Sequence, residues 1–396
     1  MDTELWPPVT YEERAWAPSS TAMMSRTQQR RHRGPYRAAV PAPIAGAEVL
    51  GLDTETLARA DDASVAISRF DESFGSQLTP FSAILLRSES VASSQIENLT
   101  SSAKAIALAE LDGGRANAAV IVSNTRAMQA AIRMADNLDA AAIIETHRVL
   151  LESSTPEQVG GWRDQQVWIG GRAFGPHQAV FVPPHHERVP SAMDDLMSFL
   201  GRDDLPVLAH AAIGHAQFET IHPFPDGNGR TGRAILHALL RAKGLTRSVN
   251  VPISAGLLAD IGAYFAALGS YREGDPNPIV GLVADASFLA IENGTVLVRE
   301  LRRLRDDWGH RVSARADSVV WAIADMLLRQ PVIDSVVVRR DTGVAPVNAR
   351  RAIERLVDGG VLSEITGNRR DRRWAAAEVL EELDAFAARA GRRRFG

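Results

Sequence analysis

The chain predicts a mainly α-helical fold: a helical bundle with one small β-hairpin, followed by a C-terminal winged helix-turn-helix. Three observations carry this. Aromatic residues make up only 6% of the 396 residues, alanine is abundant, and long stretches lack Gly and Pro, a composition that favours helix over sheet. Between Pro156 and Val189 the texture becomes glycine-rich and alternating, as in a hairpin with a bend. From Ser318 onward the patterns run helix, turn, helix and hairpin, a winged arrangement.

Residues 1–46 form an arm rich in Pro, Arg and Ser, with too little apolar surface to fold alone, expected to drape over the body or stay mobile. Its cluster Arg30, Arg31 and Arg33 could touch a phosphate, although such runs are more often solvated. Residues 47–138 are helical: the spacing of Leu57, Val65, Ile67, Phe70 and Phe74 suits an amphipathic helix, with others over Phe81–Leu99 and Asn117–Leu138. In residues 139–305 helices are expected over Ala140–Leu151, Val189–Leu200, Leu205–Thr220 and from near Gly229 to Lys243. The pattern then continues through Ile261–Leu268 and Val280–Leu304. Val167 with Ile169, and Val180 to Val182, supply the two arms of the hairpin. Charge density peaks over Arg305–Asp317, which marks a boundary before the last unit, 318–396.

Apolar residues at 45% of the chain are enough for two or three domains. A net charge of -4 gives no global field to attract nucleic acid or an anionic membrane, so any such binding must be local. The absence of cysteine excludes disulfides and thiolate chemistry. The N-terminus lacks a basic start followed by an apolar run, so no secretory signal is expected. No stretch is expected to approach the roughly 20 apolar residues of a spanning helix. These features together predict a cytoplasmic protein with no membrane partner.

One segment concentrates chemistry: Ile221 to Arg233, IHPFPDGNGRTGR. A helix N-terminus offers unpaired N–H groups and the positive end of a dipole, which suit phosphate oxygens. Gly227 and Gly229 let the backbone approach an anion, and Asn228 between them can add a side-chain amide. Arg230 and Arg233 fall three apart on the first turn, with Thr231 and Gly232 between them, and can reach one polyphosphate. Asp226 sits where a carboxylate would bind Mg²⁺ beside phosphate oxygens. His222 has the ordinary pKa needed to take a proton from an incoming hydroxyl. Phe224 would bury itself and so fix His222 and Asp226. Singly, each residue has a bland explanation, such as a structural His, a solvated Arg pair or an ordinary turn. The combination at these spacings favours chemistry.

The segment resembles the signature of the Fic family, in which His, Phe, an acidic residue, Gly, Asn, Gly and two Arg recur at fixed gaps, and every position is matched here. The resemblance implies a Fic-type helical bundle over 139–305 and an enzyme that transfers AMP from ATP, with Mg²⁺, onto a Ser, Thr or Tyr hydroxyl of a target protein. It implies His222 as general base and Asp226 as Mg²⁺ ligand. Gly227, Asn228 and Gly229 would form the phosphate hole, with Arg230 and Arg233 on the distal phosphates. The hairpin around His177–Pro184 is similar to the family's flap, an edge to which a target segment adds as a strand. Tyr264 and Tyr271 fall where the family often places residues against adenine, although Ala263 and Phe265 depart from its paired tyrosines. Ser93, Glu97 and Asn98 resemble the family's inhibitory pattern. On a helix Ser93 and Glu97 would share a face, and a Glu97 carboxylate that pairs with Arg233 would displace the γ-phosphate. A homodimer is compatible with this reading.

Residues 318–396 carry 14 Arg against 11 acidic residues, a mild excess of +3. Arg350, Arg351 and Arg355 lie on the second helix, and Arg369, Arg370, Arg372 and Arg373 crowd the wing. DNA or a protein is the expected partner of this module. Two alternatives to adenylyl transfer remain open from the sequence. One is a DNA-binding regulator whose pocket only senses ATP, and the other is transfer of a different phosphate-containing group.

Overall fold

The computed structural model describes residues 6–16, 25, 27, 32–47, 51–75, 79–114, 116–171, 175–366 and 371–391. The first helices are α1 (Thr54–Gly75), α2 (Thr79–Ile96), α3 (Ala103–Asp112), α4 (Ala116–Arg133), α5 (Ala140–Leu151), α6 (Val189–Leu200), α7 (Val207–Ile221) and α8 (Asn228–Ala242). They are followed by α9 (Ile253–Leu257), α10 (Ile261–Arg272), α11 (Asn277–Arg311), α12 (Val319–Arg329), α13 (Ser335–Thr342), α14 (Pro346–Asp358) and α15 (Ala377–Ala390). The chain divides into two compact units. The first comprises residues 1–64, 130–245 and 262–284, the second residues 65–129, 246–261 and 285–396.

The first unit is built on the hairpin of α7 and α8. Every residue of α7 from Leu208 to Ile221 is buried, so this helix runs through a core rather than over a surface. Its approach to α8 is set by Gly232: a Cβ there would lie 2.9 Å from Phe218 Cδ1 and 3.0 Å from Glu219 Oε1. Helix α5 starts on the side chain of Asp139, which accepts from Ala142 N–H at 2.8 Å, and α6 has a proline in its first turn. Both helices match the expected spans.

The arm drapes over this unit where it is described, and it adds two strands that the sequence reading lacked. β1 (Thr10–Arg14) and β2 (Tyr36–Val40) pair antiparallel, with Thr10 opposite Val40. Ala39 N–H donates to Val182 O at 3.0 Å, and the N–H groups of Ile44 and Ala45 reach the Asp195 carboxylate at 2.7 and 3.2 Å. Hydrogen bonds from Arg188 hold the Glu12 carboxyl down to about 2, with Arg14 adding to the effect. Arg33 is exposed, whereas Arg30 and Arg31 lie outside the described residues.

The expected hairpin is only partly formed. Its described part holds a single bridge, Ile169 to Phe181, made by Ile169 N–H to Phe181 O at 2.8 Å and Phe181 N–H to Ile169 O at 3.2 Å, with Val180 N–H also reaching Ile169 O at 2.9 Å. The left-handed backbones of Gly170 and Gly171 bend the chain there. Pro176, within a short 3-10 turn, and Pro183 with Pro184 remove donors that a longer ladder needs.

In the second unit α2 runs to Ile96, and the turn after it is closed by Asn98 in a left-handed conformation with φ 60°. Helix α3, absent from the sequence reading, is capped by Ser102 at its start and by left-handed Gly113 at its end. Asp71 gathers the N–H groups of Arg247, Ser248 and Val249 at 2.7 to 3.0 Å, and buried Glu89 bonds both the N–H and the hydroxyl of Ser254. Residues 318–391 give α12, strand β3 (Val332–Asp334), α13, α14, strands β4 (Ser363–Glu364) and β5 (Arg373–Ala375), then α15. The strands form an antiparallel sheet in the order β3-β5-β4. β3 and α15 are additions to the expected helix, turn, helix and hairpin, and Arg369 and Arg370 lie outside the described residues.

One expectation is corrected. Residues 253–272 and 277–311 are helical stretches long and apolar enough to cross a membrane, and each is partly buried. Alanine and glycine between the larger apolar residues dilute the pattern in sequence without adding charge. Buried helices of globular cores pass the same test, so length and composition alone assign no membrane here.

Candidate active site

All twelve residues from His222 to Arg233 lie in the first unit, at the junction of α7 and α8. His222 ends α7 in a left-handed conformation, φ 52° and ψ 60°, with its N–H bonded to Phe218 O at 2.8 Å. An L-residue held this way costs about 1–2 kcal/mol. The turn that follows closes on itself. Asn228 Oδ1 accepts from Phe224 N–H at 2.9 Å, and Asn228 Nδ2 donates to Phe224 O at 2.8 Å. One amide hydrogen of Asn228 is thus committed to the turn rather than to an anion. Gly227, with φ 77°, precedes α8, and a Cβ on it would lie 3.0 Å from Leu150 Cδ2. Thr231 N–H to Gly227 O at 3.0 Å is the first helical bond, which leaves the N–H groups before it directed out of the helix end.

Charge is arranged around that end. Arg230 and Arg233 are 5% and 2% exposed, so two guanidiniums sit in low dielectric in the first two turns of α8. The Asp226 side chain is 62% exposed, with Oδ2 3.6 Å from Arg230 Nη2. His222 Nδ1 stands 3.9 Å from the Glu219 carboxylate, one turn back on α7. Phe224 is fully buried, as expected for a residue that fixes its neighbours.

Two residues without a motif complete the arrangement. His147, on α5, stacks on Phe224 with ring centroids 3.7 Å apart and planes 2° from parallel, and its Nε2 is 3.0 Å from Asp226 O. Burial holds its pKa down to about 4, so the neutral ring donates Nε2–H to that carbonyl. Arg163, 4% exposed, donates Nε to His222 O at 2.9 Å and Nη2 to Pro184 O at 2.6 Å. Nothing in the sequence around either residue signals these roles. Both act on backbone carbonyls of distant segments.

Residues 137–240 match the Fic/DOC family. Over that stretch the chain is similar to Fic/DOC proteins. Over 160 residues it is 29% identical to protein adenylyltransferase fic-1 of Caenorhabditis elegans, a match that covers 40% of this chain and 28% of that protein. Over 146 residues it is 32% identical to protein adenylyltransferase Fic of Aedes aegypti, covering 37% and 27%. The chain therefore spans less than a third of the length of these relatives. A Fic family protein from Desulfovibrio desulfuricans G20 shares the fold, with a TM-score of 0.53 at 21% identity, over 85% of this chain and 98% of that one.

Tyr264 is 1% exposed, and its hydroxyl is 2.8 Å from Nε2 of His215 on α7. His215 is fully buried, and burial with the nearby Arg233 charge pushes its pKa down to about 3. Phe265, next in sequence, is 54% exposed. The segment 177–184 carries the bridge residue Phe181, over whose ring Arg272 Cζ lies at 3.8 Å. Ser93, Glu97 and Asn98 belong to the second unit. Ser93 is fully buried in the last turn of α2, whereas Glu97 is exposed in the turn beyond the helix end. The expectation that both share a helix face is corrected, because α2 stops between them.

Proposed function

We propose that the Fic/DOC domain transfers AMP from ATP to a Ser, Thr or Tyr hydroxyl of a target protein. The observation that carries this is the junction of α7 and α8, where His222 stands in a rigid left-handed turn beside an open helix N-terminus flanked by two buried arginines. His222 takes the proton as the hydroxyl oxygen attacks the α-phosphorus and pyrophosphate leaves. Backbone N–H groups of Gly227, Asn228, Gly229 and Arg230 receive phosphate oxygens, with Thr231 and Gly232 continuing the helix behind them, and the Arg230 and Arg233 side chains take the distal phosphates. The named activity of the relatives supports adenylyl transfer over simple nucleotide sensing or transfer of another group.

Among the described residues there is no group of three or more His, Cys, Asp or Glu side chains suited to a metal. The exposed Asp226 carboxylate beside the phosphate cradle fits Mg²⁺ that takes its other ligands from phosphate and water. Bound there, the ion would neutralise charge on the departing pyrophosphate. Tyr264 is the proposed adenine neighbour, and the edge near His177–Pro184 the proposed dock for the target segment.

Glu97 is proposed to restrain the site by pairing with Arg233, with Asn98 as the left-handed residue that closes its turn and Ser93 as the buried hydroxyl in the helix before it. In a chain incubated with labelled ATP, Glu97→Gly is expected to raise automodification, while His222→Ala lowers it by at least about 10²-fold. Labelling that survives loss of His222 would remove the proposal. The unit after residue 318 is proposed as a winged helix that contacts DNA or a protein, in a cytoplasmic setting suggested by the cysteine-free sequence. A salt-dependent shift of duplex DNA by the full chain would choose DNA.

A further inference from the structure

Arg163 has no ion pair among the described residues, although its side chain is almost wholly enclosed. Its donors go to backbone carbonyls instead. Nε reaches His222 O at 2.9 Å, Nη1 reaches Gln165 O at 2.9 Å, and Nη2 reaches Pro184 O at 2.6 Å. The main-chain N–H of Arg163 donates to Pro223 O at 2.9 Å. One residue therefore holds two consecutive carbonyls of the motif turn and one carbonyl at the end of the flap segment.

A buried cation without a counter-ion is costly, and burial lowers its pKa to about 10, which still leaves it charged at neutral pH. Three carbonyl dipoles are what compensate it. Conversely, a histidine in the left-handed region persists only when its surroundings over-determine it. The bonds to His222 O and Pro223 O come from outside α7 and fix the peptide that the helix alone would not. The planar guanidinium reaches His222 O and Pro184 O from two directions at once, whereas an ammonium on a flexible stem offers its donors from a single point.

We propose that Arg163 is a positioning residue for adenylyl transfer, setting the backbone of His222 and the end of the flap on one guanidinium so that base and acceptor edge keep a fixed spacing. This rests on the reading of His222 as general base.

The test uses the full Glu97→Gly chain with Arg163→Lys and Arg163→Ala added separately. Arg163→Lys is expected to keep the melting temperature and the KM for ATP close to the parent's while kcat falls at least about tenfold, the scale of a small misplacement of a reacting group. Guanidinium ion, but not sodium chloride at equal ionic strength, is expected to restore part of the kcat lost in Arg163→Ala. A Lys variant with parental kcat overturns the proposal, as does loss of kcat with no rescue. Carbon-13 backbone shifts of His222 provide a readout independent of activity. In both variants they are expected to move away from left-handed values, and unchanged shifts overturn the proposal. Should the parent bind magnesium ATP yet label no hydroxyl, the adenylyl-transfer reading fails by itself, and those shifts still decide what Arg163 positions.

Discussion

Among the described residues, two helices end on a left-handed residue that is not glycine, and they do so by different means. After α2, Asn98 adopts φ 60° in an exposed turn, with its N–H bonded locally to Gln95 O at 2.9 Å. Asparagine tolerates this region well, so the stop is written into one residue. At the end of α7, half-buried His222 adopts φ 52°, and Arg163 holds its carbonyl from another segment. The first is a local cap. The second depends on tertiary support, and it bears the residue on which the chemistry turns.

Acid should separate the two most strongly. The turn after His222 leans on His147, which burial keeps neutral with a pKa of about 4, below its ordinary value of 6.5. As pH falls through 6.5 the unfolded chain gains a proton there that the folded chain refuses. Stability is therefore intact above 6.5 and drops by up to about 1.4 kcal/mol per pH unit down to about 4 for this residue. Urea midpoints between pH 7 and 4 should show a smaller drop in His147→Gln, and equal slopes would detach His147 from the turn's stability.

Crowding gives a second contrast. Gly227→Ala puts a Cβ 3.0 Å from Leu150 Cδ2 at φ 77°, whereas Gly113→Ala, at φ 83°, meets no atom within 4 Å. The second change should cost only the backbone penalty of about 1–2 kcal/mol, and the first about 1 kcal/mol more through overpacking. Chemical denaturation of both variants measures the gap, and equal losses would mean that the α5 side chains yield freely.

The smallest effects lie at the caps themselves. Removing the Cβ of His222 should relieve strain, so His222→Gly is expected to be about 1 kcal/mol more stable than His222→Ala. Asn98→Gly should differ from the parent by only about a few tenths of that. If Gly gains as much at 98 as at 222, the distinction between local and imposed caps is lost.

Much of this architecture could be read from residues. Helices α5 and α6 matched their expected spans because Asp139 and Pro190 are local start signals, and the start of α8 followed from the glycines around Asn228. The strands β1 and β2 were missed because their hydrogen bonds and burial come from residues far along the chain, such as Val182 and Asp195. Helices α3 and α15 are absent from the sequence reading, although their alanine content favours helix and Ser102 and Gly113 bracket the former with cap signals. The motif turn was legible as a set of residue types. Its supports were not, because His147 and Arg163 act 79 and 59 residues away in sequence and bind carbonyls, which every residue has.

The reciprocal bonds between Asn228 and both main-chain groups of Phe224 make the turn a small macrocycle, sealed by its own side chain. Its shape is then portable. Residues Phe224 to Asn228 spliced between two antiparallel helices of an unrelated scaffold would keep this closed ring, whereas the backbone at His222 would also need the carbonyl grip that Arg163 supplies.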